Sequence, residues 1–129
     1  MPKHNKKLVV FTTLLAFCVV VFGAYVRLSD AGLGCPDWPG CYGYFGPPSS
    51  AGELADTGKL FPNQPFNSTK AWTEMVHRYL ATTLGFFILI LFCFGIKNRS
   101  VTPKTTADNT TLLTVLLLLV VFQGLLGMW

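Results

Sequence analysis

Three side chains within five residues could do chemistry together: Glu74, His77 and Arg78. They bring an acid, an imidazole and a guanidinium to one place. On an α-helix Glu74 and His77 stand three apart and share a face. The apolar run from Tyr79 to Ile96 that follows is long enough to enter a bilayer. An ionisable residue at membrane depth is a candidate for function, whereas a lone histidine near a helix end is more often a surface residue.

The same helical face continues through Ala81, Gly85 and Ile88. Two small residues beneath an imidazole leave room for something flat and wide. A porphyrin fits that description, since imidazole is a standard axial ligand of haem iron. A neighbouring helix fits it too, because small residues at this spacing also mark close helix packing. Two further positions carry chemical potential. Arg27 closes an apolar run, where it can serve as a headgroup anchor or as the counter-charge of an anionic group such as a propionate. Cys35 and Cys41 lie in a stretch dense in glycine and proline, Gly32-Leu33-Gly34-Cys35-Pro36-Asp37-Trp38-Pro39-Gly40-Cys41, which cannot be helical. A bridge between them would stabilise by roughly 2–3 kcal/mol on the chain-entropy model. A redox-active pair is the alternative, although the spacing is wider than C-x-x-C and no cation sits between the cysteines.

The elements that must position these residues follow from composition. The chain has 129 residues, is 51% hydrophobic and only 12% charged, with a mean hydropathy of +0.48. That is too apolar for an ordinary soluble domain. Charge-free runs at Leu8–Val26 and Thr111–Trp129 join Tyr79–Ile96 as spanning candidates. The expected fold is therefore an all-α integral membrane domain, with helices over about 8–27, 70–96 and 111–129. An outer loop covers 29–69 and a cytoplasmic loop 97–110. A cleaved signal peptide is the competing reading of the first run, but its core is too long and no A-x-A site ends it.

Orientation follows the basic residues, which are retained on the cytoplasmic side. Lys3, Lys6 and Lys7 stand without an acid, and Lys97, Arg99 and Lys104 face only Asp108. The 29–69 loop and its helix ends mix four basic residues with Asp30, Asp37, Glu53, Asp56 and Glu74. The N-terminus is expected inside and the long loop outside, in the inner or cell membrane. The net charge of +4 thus reports topology, and no nucleic-acid partner is expected. Prolines 47, 48, 62 and 65 and three glycines leave residues 45–67 without a sustained period, while their aromatic residues suit a lid packed on the membrane surface. Asn67, Ser68 and Thr69 offer N-caps for the second helix. Cys18 and Cys93 are expected to be small buried hydrophobes, Cys93 roughly 24 Å deeper than His77 at 1.5 Å per residue. Gln123, beside Gly124 and Gly127, suits interhelical hydrogen bonding.

Three blocks carry a resemblance: Tyr25 through Cys41, then Glu74-Met75-Val76-His77-Arg78, then Gln123-Gly124-Leu125-Leu126-Gly127. The chain resembles the N-terminal part of the haem A synthase family, which converts haem O to haem A for cytochrome oxidase assembly. The resemblance implies an eight-helix protein made of two four-helix halves, of which this chain supplies three transmembrane helices. It implies haem O as substrate in this half and haem b in the other. His77 would be an axial ligand of the haem iron, and Glu74 a catalytic base or charge stabiliser. Arg27 and Arg78 are the basic residues expected at the cofactor, and Cys35 and Cys41 match an outer-loop cysteine pair. Membrane lipid, haem O synthase and cytochrome oxidase assembly proteins are the expected partners.

In the family a second axial histidine comes from the helix after the third. Here the only other histidine is His4, expected across the bilayer from His77. The chain is accordingly expected to be cut short at its C-terminus and inactive alone. Two other readings stand beside the enzyme: a non-catalytic haem-binding assembly subunit, and a quinone-linked disulfide-forming membrane protein that would use Cys35 and Cys41.

Overall fold

The computed structural model describes the backbone of residues 3–99 and 103–127, and side chains over 6–97 and 111–127. The expectations placed on Lys3, His4, Arg99, Lys104, Asp108 and Trp129 lie outside the described side chains. Four helices follow one another: α1 (Lys3–Leu28), α2 (Ala51–Leu60), α3 (Ser68–Arg99) and α4 (Pro103–Leu126). No strand occurs among the described residues, only an isolated bridge between Cys41 and Tyr44.

Each helix end has a local cause. At the end of α1, Ala31 N–H donates to Val26 O at 3.0 Å and Asp30 N–H to Arg27 O at 3.2 Å. With Asp30 at φ 53°, this is a Schellman cap with aspartate in the left-handed position that glycine usually takes. Val26 and Ala31, the positions such a cap brings together, are both buried. α3 starts on Asn67, whose Oδ1 accepts from Lys70 N–H at 3.0 Å.

α2 lies where no regular element was expected. Ser50 caps it and Glu53 reciprocates, a complete capping box. The Ser-x-x-Glu spacing was the signal, hidden among the flanking prolines and glycines. Two backbone N–H bonds, from Ser49 and Ser50, hold the Glu53 carboxyl below its ordinary value of 4.5. A depressed carboxyl contributes stability that is present above the unfolded value and lost as pH falls through the folded one. α2 is therefore expected to fray below pH 4.5. Ser50→Ala is expected to cost α2 about 1 kcal/mol at neutral pH, read as faster amide exchange over 51–60.

α4 also differs from expectation. It begins at Pro103 instead of 111, with proline at the first helical position, where its missing N–H costs nothing.

The described residues divide into two compact units, one made of 18–80 and the other of 1–17 with 81–129. In the latter, Phe11 and Phe87 meet edge to face with centroids 5.1 Å apart. Gly85 faces Val120 of α4, and Gly95 faces Leu113. The small residue at 85 is thus used for helix packing. Cys18 and Cys93, expected to be buried, are exposed free thiols, because the apolar helix faces that carry them are unpacked.

Lys6–Leu28 and Ser68–Lys97 are long and apolar enough to cross a membrane, and only 17% and 6% of their most apolar stretches are buried. A core helix of a soluble protein shows the opposite. Among the described residues the apolar part of α4, Thr111–Leu126, is shorter than a full span.

Candidate functional site

The unit formed by 18–80 folds the first loop onto the start of α3. Its core is Cys35, Cys41, Tyr42, Ala71 and Met75, with Phe61 and Phe66 packed against it. The ring of Tyr42 stands edge-on to both phenylalanines, at centroid distances of 5.5 and 5.3 Å. Phe61 is the C-cap of α2, so the unexpected helix exists to deliver an aromatic wall.

Cys35 and Cys41 are joined by a disulfide. Cys41 is fully buried and the Cys35 sulfur lies 3.8 Å from Ala71 O, a placement that suits a staple and withholds the sulfurs from exchange partners. Gly34 makes the docking possible: a Cβ there would stand 2.6 Å from the backbone carbon of Lys70. After the bridge the chain reverses through Tyr42 and Gly43, at φ 56° and 84°, with Cys41 and Tyr44 exchanging backbone bonds of 2.8 and 3.2 Å. Asp37 holds this turn from inside, its carboxylate accepting from the N–H groups of Tyr42 and Gly43.

Glu74 and Arg78 grip that turn from α3. Glu74 is 6% exposed. Its Oε2 accepts from Cys35 N–H at 3.0 Å, and its Oε1 pairs with Arg78 Nη2. Arg78 Nη1 then donates to Asp37 O at 2.9 Å and Gly40 O at 2.7 Å. Arg78, expected at the cofactor, is therefore turned to the loop. Both Glu74 oxygens are engaged as well. One turn on, Tyr79 donates its hydroxyl to Phe45 O at 2.8 Å.

His77 points elsewhere. Its Nδ1 is buried with no hydrogen-bond partner. The ring lies beside α1, 6.1 Å from the Phe22 centroid and against Gly23. Arg27 is exposed, and no described residue binds its guanidinium. The structure thus separates the residues that sequence grouped: Glu74 and Arg78 join Cys35 and Cys41 in the loop clamp, whereas His77 is left with an unsatisfied nitrogen. Asp37, Tyr79, Gly23 and Gly34 were not singled out by sequence, and Tyr42 was legible only as one of the loop aromatics suited to a packed lid. Of the former, only Asp37 carried a signal, an acid entering a Gly/Pro turn.

Burial pushes the Tyr42 phenol above its ordinary value of 10.0, and the negative charges of Asp37 and Glu74 add to the effect. The folded state favours the protonated phenol. The stability it supports is therefore intact below the unfolded value and is lost as pH rises through the folded one. The loop is expected to loosen above pH 10.0, and Tyr42→Phe to move that onset upward, measured by proteolysis of the 29–67 segment across an alkaline series.

Comparison with known proteins gives a consistent result. The family model described as cytochrome oxidase assembly protein matches residues 6–129. The heme A synthase of Shewanella oneidensis is 43% identical over 118 residues, covering 92% of this chain and 34% of its own length. That of Rhizobium johnstonii is 31% identical over 102 residues, with 69% and 28% covered. That of Flavobacterium psychrophilum is 28% identical over 141 residues, with 97% and 40% covered. The chain spans about a third of the length of the curated relatives it matches. No solved structure matches it.

Proposed function

The chain belongs to the cytochrome oxidase assembly protein family, and from that premise we propose that it forms the haem-substrate part of a haem A synthase. In this reading three helices cross the inner or cell membrane, with the N-terminus cytoplasmic and the first loop outside, as the distribution of Lys and Arg favours. The 18–80 unit then caps the outer end of its own spans.

The observation that carries the reading is His77. An imidazole in the third turn of α3 whose buried Nδ1 has no hydrogen-bond partner is in a costly state that a ligand relieves. Among the described residues no three His, Cys, Asp or Glu side chains gather around a point. A lone imidazole suits iron that a macrocycle already holds. Haem fits this donor set: His77 would supply one axial ligand, and Arg27, whose guanidinium is exposed, would meet a propionate. The bound group would supply redox-active iron, and the reaction proposed for the whole protein oxidises a ring methyl of haem O to a formyl group. Haem b would occupy the other half.

Glu74 takes the charge-stabilising role. Its carboxylate stands one turn from His77 on the same helix and is fixed by Cys35 N–H and Arg78, so its charge is oriented before any ligand arrives. Arg78 positions it. The buried bridge supports the enzyme reading over a disulfide-forming one, which needs sulfurs within reach of a partner.

The test is an optical spectrum of the chain purified in detergent and supplied with haem. The expected result is a ligated haem band in the wild type that is lost in His77→Ala. Identical spectra for the two proteins would overturn the assignment.

A further inference from the structure

Gly23 lies within α1, less than two turns from its end, and inside a helix glycine is the poorest choice after proline. Its surroundings give the reason. A Cβ built there would stand 2.9 Å from His77 Cε1, 3.2 Å from Nε2 and 3.7 Å from Nδ1. Real Cβ atoms essentially never come within 3.0 Å of another heavy atom, so the first distance is a collision, and the second is tight enough that the ring must give by a few tenths of an ångström. All three nearest atoms belong to one imidazole. The bare backbone of α1 therefore forms one wall of the space that the His77 ring occupies, and Phe22 stands beside it at 6.1 Å between ring centroids. Neither residue offers the ring a hydrogen bond from its side chain, and Nδ1 stays unpartnered.

We propose that Gly23 is a positioning residue for His77: the missing side chain lets the imidazole take the orientation in which it ligates haem iron. This rests on the haem reading given above. An alanine at 23 can be accommodated only by the mobile partner, since the ring turns about two side-chain bonds whereas helix backbone does not give way. The substitution thus displaces the imidazole and spares the helix, which gains a better former. That split separates Gly23 from a glycine needed for folding, whose replacement would lower stability along with binding.

Gly23→Ala is to be compared with wild type and His77→Ala in the full chain, in detergent, with haem as the probe. The expected outcome is a melting temperature equal to or above that of the wild type, together with haem retention weakened about 10–100-fold, the range by which misoriented histidines lose metal affinity. The band and spin state of the remaining complex should be shifted. Wild-type affinity and spectrum in Gly23→Ala would overturn the proposal. A second measurement keeps it separable from the haem reading: with labelled histidine in haem-free protein, the ring signals of His77 should move in Gly23→Ala while those of His4 stay. Unmoved His77 signals would overturn the contact itself. If His77→Ala leaves the haem spectrum unchanged, the haem reading fails and the ligand role proposed for Gly23 fails with it, while moved ring signals would still establish the contact.

Discussion

Arg78→Ala is expected to release the first loop from α3 at a cost of about 3–5 kcal/mol, the range for breaking a buried ion pair by removing one partner. Three losses coincide. Glu74, whose side chain is 8% exposed, loses its cation, and the carbonyls of Asp37 and Gly40 lose a shared donor. Arg78→Lys should recover only part of the loss, because one ammonium cannot reproduce a planar fork that reaches a carboxylate and two carbonyls together. Limited proteolysis of the 29–67 segment reads the effect directly. Adding Glu74→Gln to Arg78→Ala should cost much less than its effect alone, because the stranded carboxylate is then neutral. Additive costs would show that the two residues act separately.

The second large effect is expected at Tyr42. Truncation to alanine empties the centre of the loop core, where the ring is 1% exposed and meets Phe61 and Phe66 edge-on. Removing a buried aromatic costs about 3–5 kcal/mol. Tyr42→Phe should cost less than about 1 kcal/mol, since the hydroxyl makes only a 3.5 Å bond to Pro65 O. Thermal unfolding followed at Trp38 separates the two variants. Equal losses would mean that the hydroxyl, and not the ring, holds the loop.

The long elements were legible because their signal is repeated along the chain. Charge-free runs gave the apolar parts of α1 and α3, and the Asn67-Ser68-Thr69 caps gave the start of α3. The Cys35–Cys41 bridge was legible as a spacing. The destinations of Glu74 and Arg78 were not, because spacing on a helix says which residues share a face and nothing about what meets it. Their partners lie 38 to 41 residues away. Gly23 was invisible for the same reason: its meaning is the imidazole opposite. α2 was missed through reading prolines and glycines as loop while passing over Ser50-x-x-Glu53. The beginning of α4 was missed because Thr105, Thr106, Asp108 and Asn109 look like a turn when the proline before them is not recognised as a helix start.

The clamp also sets an order of events in synthesis. The turn at 37–43 closes on bonds between residues five and six apart, so it can form as soon as it leaves the ribosome. Its docking bonds need Glu74 and Arg78, which emerge only after the rest of the loop has been made. The segment therefore reaches α3 as a pre-shaped piece, and α3 completes a clamp whose other half was made earlier.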